Sequence, residues 1–182
     1  MKHAMITVIG KDRPGIIAAV TRILFQNHCN LEDVSMTILE GEFAMMVVIA
    51  LGRRSRKTSI TAALQRLETH GALSFFWKDL TRRLVRGEKH PQGVETYLVS
   101  AVGPDQTGIV YKISSLLSRF GLNITDLNCK ILGHGKSSLY ALLLEVDVPK
   151  RFRLPRMKKS LASCGRNLGI EIHLKPVQRV DL

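Results

Sequence analysis

The chain has 182 residues, 45% of them hydrophobic, and a formal net charge of +12 from 27 basic and 15 acidic side chains. That length suits one large domain or two small ones, and the apolar content supports a packed core and argues against disorder. The longest apolar run, FAMMVVIAL at 43–51, is far short of the roughly 18 residues that mark a membrane helix. Met1-Lys2-His3 leads into a short apolar run without a small-residue cleavage site, so the expectation is a soluble cytoplasmic protein with no membrane contact. Cys29, Cys129 and Cys164 are odd in number and form no CxxC, which argues against a disulfide framework or a zinc site. Basic residues gather in RRSRK (53–57), Arg82-Arg83 and KRFRLPRMKK (150–159); they permit an acidic partner, or else form a solvated surface.

In chain order, MITVI (5–9) is predicted as a short strand. GKDRPGII (10–17) follows and opens an amphipathic helix from about Pro14 to His28, with Ile16, Val20, Ile23 and Leu24 on one face. Pro14 suits a first helical turn, and Asp12 is placed to accept from the free N–H groups there. LEDVSMTIL and FAMMVVIAL then form a hairpin around Glu40-Gly41-Glu42. A second helix carries Ile60, Ala63, Leu64 and Leu67, with Gly71 as its C-cap, and SFFWKDL (74–80) is the closing strand. The polar stretch VRGEKHPQG (85–93) is predicted as a linker.

The same order then recurs. YLVSAV (97–102) is a strand, GPDQTGIV (103–110) a loop, and Ile109, Ile113, Leu116 and Leu117 stripe a helix. ITDLNCKIL and LYALLLEVDV flank the turn Gly133-His134-Gly135-Lys136. A further helix carries Met157, Leu161, Cys164 and Leu168, is weakened at Gly165 by up to ~1 kcal/mol relative to Ala, and stops at Gly169. IEIHLKP (170–176) ends the pattern with Ile170, Ile172 and Leu174 inward.

Gly10 and Gly103 are 93 residues apart, and that offset also aligns Asp12 with Asp105, Gly15 with Gly108, Asn30 with Asn123 and Asp33 with Asp126. After the hairpin turn the offset becomes 97, with four extra residues in GHGKSS. A repeat this long is a duplicated domain, since solenoid units run only ~20–50 residues. The expected class is α+β, with two ferredoxin-like βαββαβ domains, each an antiparallel four-stranded sheet with two helices on one face. The domains are placed at 1–84 and 94–182, with 85–93 between them.

The repeated loop has a conformational reading, in which its glycines serve a tight turn and close packing, and a binding reading. A helix start offers unpaired N–H donors and the positive end of a dipole, so a small carboxylate fits there. A phosphate-hydrolysing loop needs Lys and Ser or Thr next, whereas Ile16-Ile17 and Ile109-Val110 follow. Gly135-Lys136-Ser137 lacks the leading glycine, since position 130 is Lys. HExxH, GxSxG and GxGxxG do not occur, the histidines have no metal-ligand spacing, and His28 beside Cys29 does not recur. The expectation is a protein that is not an enzyme and uses no cofactor or metal. The alternative is a nucleic-acid binder of RNA-recognition-motif topology. Base stacking needs exposed aromatics on the central strands, where only Phe43, Tyr97 and Tyr140 are available, so direct nucleic-acid contact of that kind is not expected.

A strand, then G-x-D-R-P-G-I-I, an amphipathic helix and N-L-x-D-V opening the next strand resembles the ACT domain, a small-molecule-binding regulatory module of amino-acid metabolism. The resemblance covers both halves. Two such modules in a chain of this size resemble the glycine cleavage system transcriptional repressor family, on architecture and on GPDQTGIV. The resemblance implies an amino-acid ligand, glycine or similar, at ACT interfaces, a homodimer, and a DNA-binding transcription factor as protein partner. The loop positions it implies are Gly10, Lys11, Asp12, Arg13, Pro14, Gly15 and Ile16, with Gly103, Asp105, Gln106, Thr107, Gly108 and Ile109 in the second half. The strand-start positions it implies are Asn30, Leu31, Asn123 and Ile124. Gln106-Thr107 replace Arg13-Pro14, so the second loop is expected to lack the rigidity of proline.

Overall fold

The computed structural model describes residues 2–71, 73–81, 90–133 and 138–177. Linker residues 85–89 and turn residues 134–137 lie outside them. The chain divides into two compact units, Met1–Arg86 and Gly87–Leu182.

In the first unit the elements are β1 (Lys2–Lys11), α1 (Ile16–Gln26), β2 (Cys29–Leu39), β3 (Glu42–Leu51), α2 (Lys57–Gly71) and β4 (Leu73–Leu80). The sheet order is β2-β3-β1-β4 with antiparallel pairing throughout, the ferredoxin-like arrangement. Alternation along the strands sends Ala4, Ile6 and Val8 of β1 and Phe43, Met45, Val47 and Ile49 of β3 to the helix-covered face. They meet Ile16, Val20, Ile23 and Leu24 of α1 and Ile60 and Leu64 of α2 in one core.

The second unit repeats this with β5 (Val94–Pro104), α3 (Ile109–Arg119), β6 (Asn123–Leu132), β7 (Leu139–Pro149), α4 (Leu154–Leu168) and β8 (Glu171–Pro176). Its sheet order is β6-β7-β5-β8. Tyr97, Val99, Ala101, Leu142, Leu144, Val146 and Val148 are the strand side of its core. No described helix is long and apolar enough to cross a membrane.

Several local expectations are corrected. β1 runs on to Lys11, because Gly10 pairs with both Phe43 and Leu73; Gly10 and Lys11 are strand residues rather than loop residues. Pro14 precedes α1 instead of lying in its first turn. Gly71 is the last residue of α2, not a cap beyond it. Gly169 does stop α4, in the left-handed conformation at φ 61°. Gly165, expected only to weaken α4, has a packing reason: a side-chain carbon there would lie 2.8 Å from the Ile170 carbonyl oxygen.

Candidate functional site

The β1–α1 connection reduces to Asp12–Gly15. Gly15 caps the helix with φ 92°, ψ −5°, where a side chain is strained, and no side chain caps α1. Asp12 was the expected cap. Instead its backbone N–H donates to the Gly41 carbonyl at 2.9 Å, tying the loop to the two-residue β2–β3 turn. The first intrahelical bond runs from Ala19 N–H to Gly15 O at 2.9 Å, so the N–H groups of Ile16, Ile17 and Ala18 have no acceptor within the helix. Beside them lies a hollow of about 570 Å³, lined by Asp12 to Ala18 and walled by Met36, Ile38 and Phe43. A helix start that lacks a side-chain cap, next to an open hollow, suits a carboxylate.

The second loop has the same backbone but different side chains. Gly108 caps α3 at φ 91°, ψ 1°, again without a side-chain cap, so Asp105 is not the cap either. Lys112 N–H reaches Gly108 O at 2.9 Å. The loss of proline is compensated, because the Gln106 amide donates to the Leu168 carbonyl at the end of α4 and pins the loop to the helix. Gly103, a strand residue of β5, is required by packing: a side-chain carbon there would fall 2.5 Å from Ile170 Cγ2.

At the matched offsets the wall residues Met36, Ile38 and Phe43 become Cys129, Ile131 and Tyr140. A hydrogen bond with the Cys129 thiol, partial burial and the charge of Asp105 together push the Tyr140 phenol up to about 12. The first loop therefore faces an apolar wall, and the second a hydroxyl and a thiol. Sequence reasoning missed these wall positions. The signal that finds them is strand alternation, since Met36 and Ile38 stand two apart on β2 and Ile38 pairs with Phe43.

The strand-start residues lie elsewhere in their modules. Asn30 pairs with Ala50, whereas Gly10 pairs with Phe43, so loop and strand start are seven residues apart, or roughly 23 Å along the sheet. Asn123 pairs with Asp147 and Gly103 with Tyr140, the same separation. No single module brings both groups together. The strand starts share one irregularity: a bulge interrupts β2 between Leu31 and Asp33, and β6 between Ile124 and Asp126. Asn30 is exposed and donates to Glu32 Oε1 at 3.0 Å.

Other chemistry is weak. The three cysteines are free. Burial pushes the Cys29 thiol up, partly offset by its hydrogen bond with Ser55, which is the reverse of what an activated nucleophile needs. Among the described residues no group of His, Cys, Asp and Glu is placed to hold a metal ion. Of the three central-strand aromatics, Phe43 and Tyr97 are buried on the helix side at 2% and 7% exposure, and Tyr140 is half-buried against the same core.

Comparison with known families decides what the duplicated unit is: residues 2–77 and 95–175 each match the ACT domain model. The chain belongs to the ACT domain family. This ACT chain is similar to a UPF0237 protein of Methanococcus maripaludis, at 40% identity over 68 residues, covering 37% of this chain and 76% of that protein. It also matches one from Methanopyrus kandleri at 45% over 51 residues, 28% of this chain and 57% of that protein, so it spans just over half of that relative's length. Among solved structures, a Galdieria sulphuraria protein superposes with TM-score 0.78 at 23% identity, covering 97% of this chain and 99% of that one. A protein provisionally assigned as a glycine cleavage system transcriptional repressor superposes with TM-score 0.71 at 20% identity, covering 98% of both chains. At these identities the structural likeness establishes a shared tandem ACT fold.

Proposed function

We propose that this tandem ACT protein is a non-catalytic amino-acid sensor that modulates a protein partner. The observation that carries the reading is the pair of glycine-capped helix starts, Gly15 and Gly108, each without a side-chain cap. In this reading the ligand carboxylate takes the N–H groups of Ile16–Ala18 or of the matching turn at Ile109, and its ammonium takes acceptors such as Asp12 or Asp105. Lys11, Arg13, Pro14, Gln106 and Thr107 frame the approach. Asn30, Leu31, Asn123 and Ile124 contribute from the edge of another ACT module, because they lie too far from the loop of their own. That geometry favours a homodimer.

The neighbour provisionally assigned as a glycine cleavage system transcriptional repressor makes glycine the first ligand to test. In this reading the partner class is a DNA-binding transcription factor. A cytoplasmic location belongs to the same proposal. The test is thermal unfolding with each amino acid in turn. A binder at a hundredfold excess over Kd stabilises by about 2.7 kcal/mol. No shift from any amino acid at millimolar concentration would end the sensor reading. Light scattering that shows only monomer, with and without amino acid, would end the homodimer.

A further inference from the structure

The positive charge remains to be explained, and it is placed in a repeated way. Residues 52–57, from the turn after β3 to the first residue of α2, read Gly-Arg-Arg-Ser-Arg-Lys. Two of the six hold the turn. Ser55 Oγ accepts from Gly52 N–H at 2.9 Å and lies 2.8 Å and 3.0 Å from the carbonyl oxygens of Asn27 and His28. A side-chain carbon on Gly52 would come within 2.9 Å of the His28 oxygen. Every other position is a cation. Lys57 is engaged, with Asp79 at 2.7 Å and the Trp77 ring at 5.4 Å. Arg53, Arg54 and Arg56 are exposed and form no ion pair with a described residue. Arg53 lines a hollow of about 1080 Å³ together with Lys2, His3 and Lys57, at the end of the sheet away from the glycine loop; the Asp79 carboxylate also borders it.

The turn between β7 and α4 repeats the arrangement. Lys150, Arg151 and Arg153 stand 97 residues after Arg53, Arg54 and Arg56. Phe152 takes the place of Ser55 and anchors the turn differently, with its N–H on Pro149 O at 2.8 Å and its ring edge-on to Phe120 at 5.8 Å. The anchor has changed chemistry while the cation positions persist.

Both triplets precede helices whose first turns hold no acidic residue. A helix start is the positive end of the dipole, so cations gathered there repel it and one another. Arrangements that are locally unfavourable and occur twice point to function. Five of the six cations are Arg, whose guanidinium matches phosphate oxygens in pairs. They stand on exposed turns, one in each module, with no acidic residue in the helix turn that follows, which suits a polyanion. We infer that these two basic turns bind the phosphodiester backbone of nucleic acid without reading its sequence. This mode needs no stacking platform, so the buried aromatics do not count against it.

The test is fluorescence anisotropy of labelled mixed-sequence duplex and single-stranded DNA with the full chain, from about 50 to about 200 mM salt. R53S/R54S/R56S and K150S/R151S/R153S are each expected to lower the magnitude of the log Kd against log salt slope by about 2.7 on duplex or about 2.1 on single strands. K78S/K130S/K175S, which removes the same charge from strand positions, is expected to change it by less than about one. Circular dichroism checks that each variant is folded. The inference is overturned if neither DNA binds at the lowest salt, if all three triple variants act alike, or if poly-glutamate competes as well as DNA at equal charge.

Discussion

Gly103 and Gly108 belong to one sequence motif but do different work, and substituting each by alanine separates the two. At Gly103 a side-chain carbon would sit 2.5 Å from Ile170 Cγ2 and 2.8 Å from Ile170 Cβ, with backbone close behind at 3.0 Å. Overpacking of this kind costs about 1–3 kcal/mol. At Gly108 nothing lies within 4 Å, so the cost comes from φ +91° alone. A left-handed L-residue costs about 1–2 kcal/mol. In a domain of this size 1 kcal/mol moves Tm by about 4–8 °C, so each variant is expected to melt about 10 °C lower and stay folded at room temperature. Their ligand binding should differ. The Gly108→Ala carbon enters the open space before the α3 start, whereas the Gly103→Ala carbon points into Ile170. Calorimetric titration with the amino acid identified by thermal shift should show Gly108→Ala weakened at least about tenfold, which is about 1.4 kcal/mol, and Gly103→Ala near wild type. Normal affinity in Gly108→Ala with lost affinity in Gly103→Ala would refute the assignment. A Gly108→Ala chain that cannot fold would show that the left-handed backbone at Gly108 is itself required for folding.

Gln106→Ala removes the tie from the second loop to the Leu168 carbonyl; it should cost about 0.5–1.5 kcal/mol and speed amide hydrogen exchange at Thr107 and Gly108, while exchange at Gly15 is unchanged. Ser55→Ala leaves the Gly52 N–H without its acceptor and the Asn27 carbonyl without its donor, an expected loss of about 1–3 kcal/mol measured by denaturant unfolding. In an alkaline ultraviolet titration Tyr140, pushed up to about 12, should ionise late, and Tyr140→Phe should remove that late step. Since its folded value lies above the unfolded one, Tyr140 adds stability that is complete below about pH 10 and is lost as pH rises through about 12, and the Phe variant should lack that loss.

The duplicated βαββαβ order was legible because every helix stripe and most strands carry a clean period, and because one offset aligned eleven-residue helices and their loops at once. The β2 and β6 edges were legible as strands, although the bulges at Glu32 and Thr125 were not. A bulge depends on pairing with the neighbour, and a single strand does not record its partner's register. The glycine loops were legible as helix starts. Their capping was misread, since Asp before a helix normally caps it, yet here the left-handed glycine takes that position and Asp12 turns its N–H to Gly41. The hollow walls were illegible for a related reason. Met36, Ile38 and Phe43 reach the loop only through the β2–β3 register and the close return of that hairpin.

The two modules agree where the backbone does the work and diverge where side chains face outward. The left-handed glycine, the strand bulge and the cation positions recur. The uncovered sheet faces recur only in part. At the matched offset Val48 and Ala50 of the first module become Glu145 and Asp147 in the second. Asp147 is only 4% exposed, and burying a carboxylate is costly unless it is paired. The pair comes from outside the sheet: His90, just ahead of β5, places Nδ1 2.6 Å from Asp147 Oδ1 and Nε2 3.5 Å from Glu145 Oε1, and Thr125 donates to Glu145 Oε1 at 2.8 Å. The second sheet thus carries a polar cluster that holds His90 against its outer face. Elsewhere the outer faces agree more closely: Ile9 and Met46, 42% and 50% exposed, have exposed apolar counterparts in Val102 and Leu143, and only Phe76 gives way to a polar residue, His173. Core packing selects only the inward positions, so the Glu145–Asp147–His90 cluster is a difference that the core does not impose. That cluster, and the change from the Met36–Phe43 wall to Cys129–Tyr140 beside the glycine loop, are where the two modules can take on separate tasks.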